Sequence, residues 1–316
     1  ATSLGLNIAG AVTKPIDLEE FERHLQRHYF VNVSREAWGR NVTEADLARA
    51  IGNGELLVHY QPIISLHDGR VTGLEALARW DHPAYGLIGP REFIPLAEDT
   101  GLITTLTYRI MEQAAAEMVS LRAGNRLLPV AVNLSARMLD DLELPDRIDS
   151  ILSASGFAHD RLTLEITESA AMDNPSRSME ILVRLCLKDI RLSIDDFGSG
   201  HSSLIHLYRL PYSEIKIDHS FVREVLSREE AVVIVRSIVN LAGNLGLRAV
   251  AEGVEDEETL RHLLTLGCEL AQGFLFCEPL NADDLEAWLQ SCERGYVDNL
   301  FDARMDRDPP TELRLG

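Results

Sequence analysis

The sequence is short of positive charge: 30 Lys and Arg stand against 50 Asp and Glu, a formal net charge of −20. Duplex nucleic acid is excluded as a partner, because such binding needs clustered cations that displace counterions from phosphates. No apolar run approaches the roughly 20 residues needed to cross a bilayer, so no membrane-spanning helix is expected. The first residues, ATSLGLNIAGAVTKP, lack a basic region followed by an apolar core, so secretion is not supported and a cytoplasmic location is expected. Cys186, Cys268, Cys277 and Cys292 form no CxxC pair, which argues against a disulfide or zinc framework and for buried reduced thiols. The histidines, among them His59, His67, His82 and His206, have no metal-ligand spacing. What remains is the composition of an ordinary globular protein, 46% hydrophobic and 25% charged, long enough for one barrel-sized domain and a small appendage.

Residues 1–30 do not make a core of their own. An apolar segment from Ile8 to Val12 precedes Lys14-Pro15, and Asp17 with Glu20 has capping-box spacing before the helical stripe Leu18, Phe21, Leu25. GAVTKPIDLEEFERHL resembles the last strand and helix of a response-regulator receiver domain. Residues 31–48 are expected as a linker, with Thr43 able to cap a helix that ends near Gly52 to Gly54. The main domain is placed at 49–292 and a polar tail at 293–316.

Within the main domain, strand-like and helix-like segments alternate. The strands are LLVHYQPII, VTGLEALARW, VAVNLS, LTLEITES, LSIDDFG, EIKID, AVAEGV and LAQGFLF. Helices are expected over 91–123, 146–155, 176–188, 221–245, 256–266 and 282–291, with a short one after Ser202. Eight strands separated by helical crossovers predict an α/β protein, a (β/α)8 TIM-type barrel. It should be a modified one: only residues 65–70 join the first two strands, too few for a parallel crossover, so the first strand should run antiparallel.

In such a barrel the carboxyl ends of the strands converge on one mouth. There fall Glu75, Asn133, Glu165, Asp195 with Asp196, Lys216 with Asp218, Glu252 and Gln272. Acids embedded in apolar strands cost free energy unless paired, and one lysine cannot neutralise six carboxylates. Bound divalent cations would keep them ionised. Oxygen-only ligands favour a hard cation such as Mg²⁺ or Mn²⁺, and the adjacent Asp195 and Asp196 could serve two different ions.

Taken together, EALARW at 75–80, NLS at 133–135, EITES at 165–169, DDFGSGHSSL at 195–204, KID at 216–218, AEGVE at 251–255 and QGFLFCEP at 272–279 resemble an EAL-domain cyclic di-GMP phosphodiesterase over residues 55–291. The resemblance implies hydrolysis of cyclic di-GMP to linear pGpG by two-metal water attack, as the output domain of a signalling protein. It implies one cation on Glu75, Asn133, Glu165 and Asp195, and a second on Asp195, Asp196 and Glu252, with Mg²⁺ or Mn²⁺ supporting activity and Ca²⁺ binding but inhibiting. It makes Lys216, Glu252, Glu75 and Gln272 catalytic, and Gln61, Arg79 and Asp218 substrate contacts. Glu168 would brace the loop that includes Gly198, Ser199 and Gly200, and that loop with the helix after it would border a homodimer interface. Ser199 stands where Thr is usual, His201 where Tyr is usual and Ala78 where Leu is usual, none of them a ligand. The alternative is an inactive domain of the same type that binds cyclic di-GMP and signals through a partner.

Overall fold

The structure, a computed structural model, describes residues 42–121, 127–167, 175–198, 207 and 210–292. The receiver-like segment 1–30, most of the linker, the tail 293–316, Glu168, Ser199, Gly200 and the short helix expected after Ser202 lie outside the described residues.

The first described element is α1 (Glu44–Asn53). Thr43 caps it through a reciprocal pair, its side chain accepting from the Asp46 amide while the Asp46 carboxylate accepts from the Thr43 amide, and Gly54 ends it at φ 75°, where a Cβ would be strained. Leu47 and Ala50 are buried against the domain, and the expected 48/49 division falls inside this helix.

The strands are β1 (Leu56–Ser65), β2 (Val71–His82), β3 (Gly86–Ile88), β4 (Val130–Asn133), β5 (Leu162–Thr167), β6 (Arg191–Phe197), β7 (Glu214–Ile217), β8 (Arg248–Ala251) and β9 (Leu270–Ala271). Their order is β1-β9-β8-β7-β6-β5-β4-β2-β3, and β1 also pairs with β2, so eight strands close into a barrel. β1 is antiparallel to both neighbours, pairing with β2 from Leu56↔Trp80 to Ile64↔Val71, while the strands from β2 through β4 to β9 run parallel. The expected modified barrel is thereby observed. The short turn Leu66 to Arg70 forces the reversal, since a parallel pair needs a crossover.

The short β3, which pairs with the end of β2, has no counterpart among the expected strands, because three residues carry too little periodicity to read. The helices expected over 91–123 are two, and the single helix expected over 221–245 is split. The 91–123 segment forms α2 (Pro90–Thr100) and α3 (Ile103–Ser120), with Gly101 at φ 76° ending α2; the 221–245 segment forms α6 (His219–Glu224) and α7 (Glu229–Leu245). The remaining helices are α4 (Leu144–Ser155), α5 (Pro175–Cys186), α8 (Glu257–Thr265) and α9 (Ala282–Cys292). No helix is long and apolar enough to cross a membrane among the described residues. None of the four cysteines is in a disulfide, but only Cys268 and Cys277 are buried; Cys186 and Cys292 are half-buried, so the expectation of four buried thiols holds for two.

Alternation along each strand sorts the barrel interior into tiers. Ile63, Val250 and Leu270 form a small apolar cluster. Two positions nearer the mouth on the same three strands come Gln61, Glu252 and Gln272, so the interior turns from apolar to polar within one tier.

Candidate active site

The polar tier is built one residue per barrel strand: Gln61 from β1, Glu75 from β2, Asn133 from β4, Glu165 from β5, Asp195 from β6, Lys216 from β7, and Glu252 and Gln272 from just beyond β8 and β9. At its centre Lys216 is 1% exposed. Its Nζ lies 2.7 Å from Glu252 Oε1, 2.9 Å from Glu165 Oε1, 3.1 Å from Glu75 Oε2 and 3.7 Å from Asp195 Oδ1. Four carboxylates thus share one ammonium. Burial would discharge that ammonium, but Glu165, Glu252, Glu75 and Asp195 outweigh it and hold Lys216 well above the usual lysine range.

The acids respond unequally. Burial acts against the ionised form of Glu75, but Lys216, Gln272 and Asn133 overcome it and keep Glu75 below the usual range. Gln272 Nε2 donates to Glu75 Oε2 at 2.6 Å and to Gln61 Oε1 at 2.8 Å, Asn133 Nδ2 donates to Glu75 Oε1 at 2.9 Å, and Gln61 Nε2 donates to the Cys277 carbonyl at 3.1 Å. Glu165 has no such support. It is 1% exposed, and although Lys216 is close, the approach lacks hydrogen-bond alignment, so both carboxylate oxygens are without a hydrogen bond. Burial, with Glu75 and Asp195 adding to it against Lys216, drives Glu165 well above the carboxylate range. Burial likewise pushes Glu252 up to about 8, with Asp195 and Glu75 reinforcing it and Lys216 opposing.

Asp195 and Asp196 sit where β6 loses its pleat: the β6–β7 register shifts between Ile194 and Phe197. Asp196 has φ 55°, a left-handed conformation that a non-glycine residue adopts at a cost. A regular strand would send these neighbours to opposite faces; here one oxygen from each and one from Glu252 all lie within 4.8 Å of one another. The Asp196 amide donates to Asp195 Oδ1 at 3.0 Å. Burial, Asp195 and Asp218 push Asp196 up to about 6. Asp218 is buried and caps α6, accepting from the Ser220 amide at 2.8 Å. Arg79, at the mouth end of β2, is half-buried and donates to the Ala78 carbonyl at 2.9 Å. Gly198 follows β6 at φ 97°.

Backbone geometry holds the rim. A Cβ on Gly273 would collide with the backbone of Val254, and this close approach lets the Val254 amide donate to the Gln272 carbonyl at 3.1 Å and the Leu275 amide to the Val254 carbonyl at 3.0 Å. Gly253, directly after Glu252, has φ 68° and no room for a Cβ against His219. Both glycines lie in motifs read from the sequence, but their steric role is visible only in three dimensions.

The donor set suits a cation. Every oxygen here is hard, from carboxylates or an amide, and a buried carboxylate without a hydrogen bond, sharing one ammonium with three other acids, is costly unless further positive charge completes its surroundings. By contrast, in a surface recess of about 560 Å³ between Asp149, Ala158, His159, Asp160, Lys188 and Asp189, Asp149 is already paired, 2.7 Å from His159 and 2.8 Å from Lys188.

A family model described as EAL domain matches residues 44–279. The chain is 42% identical over 268 residues to the cyclic di-GMP phosphodiesterase NbdA of Pseudomonas aeruginosa, covering 84% of this chain and 33% of that protein. It is 35% identical over 283 residues to the cyclic di-GMP phosphodiesterase RocR of the same organism, covering 88% and 71%. A solved structure of the PaMucR phosphodiesterase in a c-di-GMP complex is similar at a TM-score of 0.73 and 41% identity, covering 76% of this chain and 98% of that one. The chain spans about a third of the length of the first curated relatives it matches.

Proposed function

The chain belongs to the EAL-domain family, and from that premise we propose that it hydrolyses cyclic di-GMP to linear pGpG with the help of two divalent cations, Mg²⁺ or Mn²⁺. The observation that carries this reading is the buried cluster of four acids around one lysine, in which the Glu165 carboxylate makes no hydrogen bond. Glu75, Asn133, Glu165 and Asp195 would hold one cation, and Asp195, Asp196 and Glu252 the other. When bound, the cations supply Lewis acidity toward the phosphoryl oxygens and lower the pKa of the attacking water.

The chain's own residues do the rest. Lys216, held charged by its four acids, is a donor rather than a base, so its part is to orient the water. Gln272 assists: its Nε2 is engaged by Glu75 and Gln61, while its buried Oε1 has no partner and remains an acceptor. The water oxygen bonds to phosphorus, the bond to the ribose 3′-oxygen breaks, and a proton ends on that oxygen, opening the ring. Arg79 offers a forked pair of donors suited to a phosphate, and Gln61 and Asp218 complete the nucleotide contacts. Glu168 braces the loop of Gly198, Ser199 and Gly200, and that loop with the helix after it forms a homodimer contact. Ca²⁺ binds the same acids without supporting turnover. The domain acts in the cytoplasm as an output module, with residues 1–30 the end of a receiver domain, 31–48 a linker, 49–292 the barrel and 293–316 a polar tail.

Incubating the full chain with cyclic di-GMP and Mn²⁺, and separately with EDTA, tests the proposal. Cation-dependent pGpG is expected. Binding without turnover would overturn it in favour of a receptor acting through a partner.

A further inference from the structure

Residues in register on adjacent parallel strands project from the same face of the sheet. The register runs Asn133↔Glu165, Glu165↔Ser193, Ser193↔Glu214 and Glu214↔Arg248, so five polar residues form one unbroken row across β4 to β8. Barrel strands tilt against the axis. The row therefore begins at the cation site and descends to the opposite end, where Arg248, its side chain 41% exposed, donates to Glu214 Oε2 at 2.9 Å.

Ser193 is the middle of this row. It is fully buried at 0% exposure, and its Oγ has no hydrogen-bond partner. A buried hydroxyl in that state is costly, and Ala would fill the same strand position without the cost, so the fold does not explain why a hydroxyl stands there. Its neighbours on the row are two carboxylates. Glu214 is hydrogen-bonded to Arg248, whereas Glu165, though 2.9 Å from the Lys216 ammonium, has no hydrogen bond on either oxygen. Strands in a sheet lie about 4.8 Å apart, so Ser193 and Glu165 are nearest neighbours across the β5–β6 pair. Ser has a single proton to give, and Glu165 is the acceptor in need of it.

We propose that Ser193 is a positioning residue of the cation site: with a cation bound, its hydroxyl donates to one oxygen of Glu165 while the other oxygen faces the ion. Ligating carboxylates are themselves generally hydrogen-bonded, and loss of such an outer partner typically weakens metal binding by about 10–100-fold. The inference rests on the reading of Glu165 as a cation ligand.

The test compares the native full chain with Ser193→Ala and Ser193→Thr, measuring Mn²⁺ affinity by titration calorimetry and melting temperature in EDTA. In Ser193→Ala, Mn²⁺ affinity should fall at least about 10-fold, while the metal-free melting temperature rises by roughly 2–4 °C as the unpartnered hydroxyl disappears. Ser193→Thr keeps the hydroxyl and should bind Mn²⁺ within a few-fold of native. These opposite signs distinguish positioning from packing: weaker binding accompanied by an equally lowered metal-free melting temperature overturns the proposal, as does native affinity in Ser193→Ala. If the native chain itself binds no Mn²⁺, the cation-site reading fails first and takes this inference with it.

Discussion

Replacing Lys216 by Met removes the one cation from a buried group of four acids while keeping most of its aliphatic volume. With an effective dielectric constant near 20, a pair of unit charges 2.7 Å apart attracts by about 6 kcal/mol and a pair 3.7 Å apart by about 4.5 kcal/mol. These gross attractions are offset by repulsion among the acids and by desolvation of all five groups, and the acids left behind escape part of the penalty by taking up protons. Removing one partner of a buried ion pair costs about 3–5 kcal/mol after such adjustment, equivalent to a melting temperature lower by roughly 10 °C for a domain of this size. Differential scanning fluorimetry in EDTA at pH 7 measures it. Lowering the pH to 5.5 should recover part of the loss, because orphaned carboxylates protonate, and saturating Mn²⁺ should recover part of it by substituting one cation for another. A Lys216→Met protein that melts within about 2 °C of native in EDTA at pH 7 would refute the claim that this ammonium neutralises the site.

The raised Glu252 and Asp196 make a second prediction. A carboxyl whose folded pKa is raised, to about 8 for Glu252 and about 6 for Asp196, binds more protons folded than unfolded. The stability that these two groups contribute to the metal-free protein should therefore be fully present below the ordinary carboxylate range and be lost as the pH rises toward 8. Mn²⁺ affinity should climb over the same window as protons leave, and melting curves from pH 5 to 8 that show no such opposition would contradict the assignment. Glu165→Gln should abolish pGpG formation and weaken Mn²⁺ binding at least about 10-fold, yet melt no lower than native in EDTA, since its carboxylate makes no hydrogen bond that the amide would lose; a marked fall would mean that the ion pair with Lys216 already stabilises the fold. Gly273→Ala should cost about 1–3 kcal/mol by forcing the rim away from Val254, read as a lower denaturation midpoint with Mn²⁺ affinity reduced through displaced Gln272.

Much of the fold could be read along the chain because its signals are local. The eight long apolar segments and the helical stripes between them announce a barrel, and the short 65–70 connection by itself requires the reversed first strand. β3 and the helix break between Glu224 and Glu229 were not legible, since each depends on a few residues whose geometry is set by neighbours distant in sequence. The candidate site was legible as a list: acids and amides embedded in apolar strands have no local reason to be there, which marks Glu75, Asn133, Glu165 and Asp195 without any coordinates.

The list did not contain their inequality. In sequence Glu75 and Glu165 are alike, both acids near the end of a barrel strand, yet the structure gives Glu75 three donors and Glu165 no aligned one. Nor does the string DDFG disclose that Asp196 must take a left-handed φ for two adjacent carboxylates to meet Glu252. Ser193 is the clearest instance: an unremarked residue of LSIDDFG becomes the centre of a polar row only when the strand register sets it between Glu165 and Glu214. Periodicity and composition determine which residues enter the interior, because burial is a property of one strand and its two faces. Which buried group meets a partner depends on register between strands, and that is settled only when the barrel closes.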